Sequence, residues 1–189
     1  VPFIQTLFQQ LTAPQHIKQL DLVEVLDWTG NTLNRIDATE FLKRFDQGEA
    51  VQYFYEPFLK AFDPKLRKQF GVWYTPAEVV EYMVARVDLA LREELGIPDG
   101  LADERVYVLD PCCGTGGFVN AVLKRIRANL DNHGLGDALA DRLRDAARNR
   151  VFGFEIMPAP FVVAHMQAGM ALAQMDAPLP GDARPAIYL

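Results

Sequence analysis

Nine consecutive residues, Asp110-Pro-Cys-Cys-Gly-Thr-Gly-Gly-Phe118, join a carboxylate to three glycines, and a second carboxylate, Glu155, follows 45 residues after Asp110. Glycine at 114, 116 and 117 lets the backbone approach a ligand with no Cβ in the way. A carboxylate at the end of a neighbouring strand can accept both hydroxyls of a ribose. The turn is not a phosphate cradle, because no Gly-Lys-Ser/Thr follows it, and it lacks the G-x-G-x-x-G order of a dinucleotide fold. Asp110 is poorly placed beside a pyrophosphate but suits an ammonium or sulfonium group. Glycine turn, leading acid and distal acid together favour S-adenosylmethionine over a nicotinamide cofactor.

These residues need strand ends to hold them. Val106-Tyr-Val-Leu109 is a β-branched run that leads into the turn, and Phe118, Val119, Val122, Leu123, Ile126 and Leu130 follow at helical spacing. A charged helix is predicted over about 137–149, then a strand, Val151-Phe-Gly-Phe154, that ends at Glu155. Pro158 and Pro160 open a further helix with Phe161, Val162, Met166, Met170 and Leu172 on its buried side, and Ala186-Ile-Tyr-Leu189 reads as a third strand. Strands alternating with helices indicate an α/β fold with a parallel sheet, in which ligands bind at the carboxyl ends of the strands. The charged helix accounts for Glu155 lying farther along than the roughly 20 residues of the dinucleotide pattern.

Up to about residue 100 the apolar residues recur at helical spacing. Asp37 with Glu40 predicts a capped helix that ends near Gly48, an aromatic-rich helix spans 49–62, and Asp63-Pro64 starts a short one ended by Gly71. Thr75 is the expected N-cap of the next helix, with Pro76 in its first turn and Glu78 as the capping-box partner. Val79, Val80, Met83, Val84, Val87, Leu91 and Leu95 are expected on its core face, and Gly96 ends it. The preceding Phe70-Gly-Val-Trp-Tyr-Thr-Pro76 reads, on physical grounds alone, as a structural turn before a ligand wall.

Composition narrows the class. Of 189 residues, 50% are apolar or aromatic and 23% are charged, which excludes a mostly disordered chain and a collagen-like fibre. No run approaches the roughly 20 apolar residues of a membrane helix. No signal peptide is visible, the first residue is not Met, and the two cysteines are adjacent, so a processed or excised cytoplasmic chain is expected. Cys112 and Cys113 have no second pair, and His16, His133 and His165 are scattered, so no metal site is expected. His165 reads as a core histidine, and Arg142, Arg144, Arg148 and Arg150, interleaved with Asp141 and Asp145, as a solvated helix face. The net charge is −6 and no segment is strongly basic, so most contacts with any DNA partner must come from elsewhere.

Asp110-Pro-Cys-Cys-Gly-Thr-Gly-Gly-Phe118 closely resembles the Asp-Pro-x-x-Gly-Thr/Ser-Gly-x-Phe cofactor motif of the adenine-specific (N6) DNA methyltransferases of restriction–modification systems. Gly71-Val-Trp-Tyr-Thr-Pro76 is similar to the Tyr-Thr-Pro motif that precedes it where the cofactor half comes first, and Gly153-Phe-Glu-Ile-Met-Pro158 to the segment with the ribose-binding acid. The stretch from Tyr53 to Pro64 looks like the helical region ahead of the methyltransferase in large single-chain enzymes, so the resemblance covers about 50–189. It implies a coupler-like helical region over 1–70, and over 71–189 the N-terminal half of a Rossmann-like methyltransferase domain, truncated after its third strand with the edge of the first strand bare. It implies S-adenosylmethionine as cofactor. Asp110 and the Gly114–Gly117 backbone, with Thr115 and Gly116, would hold its methionine part, Cys112 would be a further cofactor-binding residue, and Tyr74 and Thr75 would close over it near its carboxylate. Glu155 would take the ribose, Ile156 would pack on the adenine, and Phe118 would line the site or anchor the helix.

The sequence departs from that family in one large respect. The Asn/Asp-Pro-Pro-aromatic motif that holds the extruded adenine does not occur in it. The parent protein is therefore expected to methylate adenine in DNA, with restriction or specificity domains or subunits as partners, whereas this chain alone is not. The rivals are a methyltransferase of RNA, protein or a small molecule, and a non-catalytic assembly fragment.

Overall fold

The computed structural model describes residues 9, 13–19, 21–37, 75–131 and 138–189. The chain forms two compact units, residues 2–71 and 72–189. In the first, α1 spans Pro14–Gln19 and α2 spans Val23–Leu33. Thr29 and Thr32 on α2 donate their hydroxyls back to the carbonyls of Val25 and Trp28. The helices expected over 37–71 lie outside the described residues.

The second unit runs α3 (Ala77–Glu93), a 3-10 turn (Gly100–Ala102), β1 (Val108–Asp110), α4 (Gly117–Asp131), α5 (Ala138–Asn149), β2 (Val151–Phe154), α6 (Pro158–Gln174) and β3 (Ile187–Tyr188). The three strands are parallel in the order β1-β2-β3, with Asp110 opposite Gly153 and Gly153 opposite Ile187. This is the α/β, Rossmann-like arrangement that the alternation of elements predicts. Side chains alternate across a sheet. Val108, Val151 and Ile187 therefore face one side, where they join Val119, Leu123, Ile126 and Leu172 of α4 and α6 in the core. The opposite side carries Leu109, Phe154 and Tyr188, all exposed among the described residues.

The buried stripe of α3 is narrower than its apolar content. Val80 and Val84 are buried, whereas Val79, Met83, Val87 and Leu95 are exposed, and Asp88 takes the next core position. Three groups satisfy that carboxylate: the Leu101 N–H at 2.8 Å, the Asn129 amide at 2.7 Å and the Arg92 guanidinium at 3.2 Å. A buried charge is tolerated when it is paired and hydrogen-bonded in this way. The helix also starts one residue later than expected. Pro76 has ψ 142°, outside the helical region, and its carbonyl accepts from Val79 and Val80, so Pro76 rather than Thr75 is the cap. Glu78 then falls in the first turn, favourable to the helix dipole, but not at the capping-box position. At the other end Gly96 has φ +65° and Ile97 N–H bonds to Leu91 O at 2.9 Å, which closes the helix as glycine there implies.

Helix α6 meets the core through small side chains. Ala164, Ala168, Ala171 and Leu172 are buried, while Met170 is exposed and Val162 and Met166 are only half-buried. Alanines bring the helix axis closer to the sheet than the expected methionine face allows. Arg150 also departs from the solvated face expected of it. It is buried, and its guanidinium donates to the carbonyls of Asp103 at 2.8 Å and Val106 at 3.3 Å, with Asp145 at 3.6 Å. Arg142 and Arg144, on α5, pair with Glu104 and Asp141.

His165 is a core histidine, fully buried on α6. Its Nε2 lies 3.0 Å from the carbonyl of Ile187, and its ring meets Phe161 edge-on, so it ties α6 to β3. Burial lowers its pKa below the ordinary 6.5. The unfolded chain therefore binds the proton more readily. The stability that neutral His165 contributes is complete above about pH 6.5 and declines as the pH falls below it. Urea melts at pH 7.5 and 5.5 are expected to show a larger loss in the wild type than in His165→Gln. Equal losses would remove His165 as the source.

Candidate cofactor site

The carboxyl ends of β1 and β2 lie side by side, and the loop Pro111–Gly116 crosses between them. Four amides of this loop are committed to fixed acceptors. Cys112 N–H bonds to Asp110 Oδ1 at 3.1 Å, Cys113 N–H to Phe154 O at 2.8 Å, and Gly114 N–H to Glu155 Oε2 at 2.9 Å. Gly116 N–H closes the turn on Cys113 O at 2.8 Å. The other carboxylate oxygen of Glu155 accepts from Met157 N–H at 2.8 Å, and the Glu155 main chain bonds to Tyr188 O on β3. Glu155 thus links the glycine loop, the end of β2 and the entry to α6.

Two glycines show why the loop needs them. Gly116 has φ +89°, and a Cβ there would lie 3.2 Å from Cβ of Ala164, so a side chain would be strained in its backbone conformation and tight against α6. Gly114 has φ +55°, and a Cβ would meet nothing within 4 Å, so this part of the loop fronts open space. Burial raises the pKa of Asp110 from its ordinary value, partly offset by the Cys112 amide. Cys113 is buried and its thiol is pushed up to about 12, first by that burial and then by Asp110 and Glu155. Cys112 is exposed.

Hydrogen bonds bring together Asp110, Cys112, Gly114, Gly116 and Glu155. Phe118, in the first turn of α4, is half-buried and packs against the core. Thr115 is half-buried in the loop, and Ile156 is exposed just beyond Glu155. Among the described residues no hydrogen bond joins Thr75 or Ile156 to this cluster. Tyr74 lies outside the described residues. No group of three metal-ligating side chains occurs among the described residues, and no described helix is long and apolar enough to cross a membrane.

The family model described as N-6 DNA Methylase matches residues 47–178, more than two thirds of the chain. The chain belongs to the N-6 DNA methylase family. Among similar proteins is the methylase subunit of the type I restriction enzyme EcoEI from Escherichia coli, 31% identical over 99 residues, which cover 52% of this chain and 16% of that one. Another is the type II restriction enzyme and methyltransferase RM.BcgI from Heyndrickxia coagulans, 29% identical over 111 residues, 59% of this chain and 14% of that one. The chain thus spans about a sixth of the length of these relatives. The fold recurs in the DrdV–DNA complex at TM-score 0.60 and 24% identity, over 76% of this chain and 13% of that one. It recurs also in the type ISP restriction–modification enzyme LlaBIII bound to DNA, at 0.61 and 23%, over 76% and 9%.

For this N-6 DNA methylase chain, two neighbours of the site fall outside the residues expected to bind the cofactor. Cys113 carries two of the loop's main-chain hydrogen bonds, and Gly153, opposite Asp110 in the sheet, lies directly beneath its side chain. The signal for both was small size at fixed distance from the acids.

Proposed function

We propose that this chain forms the S-adenosylmethionine-binding part of a DNA adenine-N6 methyltransferase of a restriction–modification system. The observation that carries the reading is Glu155. It sits at the end of β2, one strand from Asp110, where one oxygen braces the loop at Gly114 and the other the entry to α6 at Met157. Each carboxylate oxygen has a second lone pair, enough for the two hydroxyls of a ribose. With the amides of 112, 113, 114 and 116 committed to protein acceptors, little of this loop remains to cradle a phosphate. Two carboxylates beside it favour a cationic ligand, and the open front of Gly114 leaves room for one.

Asp110 and the backbone of Gly114–Gly116, with Cys112 and Thr115, would hold the methionine part. Glu155 would bind the ribose, Ile156 the adenine face, and Tyr74 and Thr75 the side nearest the carboxylate. When bound, the sulfonium supplies an electrophilic methyl group. The residues of this chain bind and orient it. The sequence has no Asn/Asp-Pro-Pro-aromatic motif to grip an extruded adenine, so methyl transfer by this chain alone is not expected. In this reading residues 1–70 couple the methyltransferase half, residues 71–189, to other parts of the enzyme, and restriction or specificity domains or subunits provide most DNA contacts.

Calorimetric titration of the 189-residue chain with S-adenosylmethionine, alone and against NAD, tests the reading. Binding that NAD does not compete away is expected. The two thiols give an independent readout. Iodoacetamide is expected to alkylate exposed Cys112 and spare buried Cys113, and the cofactor to slow the reaction at Cys112. A folded chain that takes up no S-adenosylmethionine at millimolar concentration and gains no protection sinks the proposal.

A further inference from the structure

The cofactor loop rests on one close contact. A Cβ at Gly153 would lie 3.0 Å from Cys113 Sγ, 3.2 Å from Cys113 Cβ and 3.4 Å from a methyl of Val119. Cys113 has little freedom to move aside. Its N–H is bonded to Phe154 O and its carbonyl to Gly116 N–H, both at 2.8 Å, and its side chain is buried. Val119, on the far side, is buried in α4. Any displacement of Cys113 therefore lifts the main chain at the residue before Gly114, whose amide is the one held by Glu155.

We infer that Cys113 and Gly153 are a matched pair of positioning residues. The absent side chain at 153 and the small one at 113 together set the height of the Gly114–Gly116 loop above β2, and so the separation of the Asp110 and Glu155 carboxylates. Neither residue touches the cofactor in this scheme. They act through Gly114. The inference rests on the cofactor reading for its binding consequence, but the geometry of the loop can be read without any ligand.

Four proteins test it: wild type, Gly153→Ala, Cys113→Ala and the double variant. Overpacking of this kind typically disturbs a site by roughly ten-fold in an equilibrium. Gly153→Ala is expected to weaken S-adenosylmethionine binding by about that factor and to speed hydrogen exchange at the Gly114 amide. Removing the sulfur in the double variant relieves the 3.0 Å contact and leaves the 3.2 Å contact to the Cβ, so the double variant is expected to recover part of both losses. If Gly153→Ala does not fold, recovery of a soluble, cooperatively melting double variant supports the pair. Two outcomes overturn it: a Gly153→Ala protein with wild-type affinity and Gly114 exchange, or a double variant no better than Gly153→Ala. Should wild type itself fail to bind the cofactor, the cofactor reading falls while Gly114 exchange still decides the pair.

Discussion

Gly100→Ala is expected to lower the melting temperature of the chain by on the order of 10 °C, far more than alanine at a glycine of the same backbone conformation elsewhere. Gly100 follows α3 at φ +55°, and a Cβ there would stand 2.1 Å from Oδ1 of Asp88, 2.9 Å from its Cγ and 2.8 Å from Nε of Arg92. That carboxylate oxygen holds the Leu101 amide and the Asn129 side chain, both inside the core. Alanine at positive φ alone costs about 1–2 kcal/mol. Displacing Asp88 leaves buried donors unpaired, at about 1–3 kcal/mol each. The control is Gly181→Ala, where φ is +51° and a Cβ would meet nothing within 4 Å. It is expected to show the backbone contribution only, a few degrees at most. Thermal melts of the two variants side by side decide the matter. Equal losses would show that the Asp88 cluster adds nothing to the stability of the chain.

The same cluster shows where the sequence could be read and where it could not. Strand, glycine loop, helix and the distal acid were legible because each has a local cause: β-branched residues before Asp110, glycines where the chain must turn, and a β-type run ending at Glu155. The start of α3 was misplaced by one residue because Thr-Pro satisfies both cap positions on paper, and only the ψ of Pro76 chooses between them. Its buried face was overdrawn for a different reason. Six of the seven expected apolar residues line a broad stripe of α3, with Leu95 beyond its end, but α4 and the 3-10 turn cover one side of it, and the deepest polar position belongs to Asp88. An i,i+4 pair with Arg92 does not mark Asp88 as buried, since the partners inside the core come from residues 101 and 129. Arg150 is the same case, with acceptors at 103 and 106 that only the fold brings near. The candidate site was legible as a set of residue types. The hydrogen bonds by which Glu155 holds Gly114, and the space that Gly153 leaves for Cys113, are contacts across about forty residues and could not be.

Glu155→Ala is expected to weaken S-adenosylmethionine binding by about two orders of magnitude. Hydrogen bonds to a charged group contribute roughly 1.5–3 kcal/mol each, so losing the pair expected to a ribose amounts to about 3 kcal/mol or more. Glu155→Gln separates the two roles assigned to this side chain. A ribose contact alone would survive in part, because the amide retains one carbonyl acceptor and gains a donor. The brace would not survive. In the structure one oxygen accepts from Gly114 N–H and the other from Met157 N–H, so an amide must turn its NH₂ toward one of these two donors. The glutamine variant is therefore expected to bind nearly as weakly as the alanine variant, and to lose hydrogen-exchange protection at Gly114 or Met157. Calorimetry with S-adenosylmethionine and with S-adenosylhomocysteine, which shares the ribose but lacks the sulfonium charge, completes the test. Loss of affinity for both ligands by similar factors follows if Glu155 acts on the ribose and the loop. Loss confined to the charged ligand would instead make Glu155 a partner of the sulfonium, alongside Asp110. Wild-type affinity in both variants would remove Glu155 from the site.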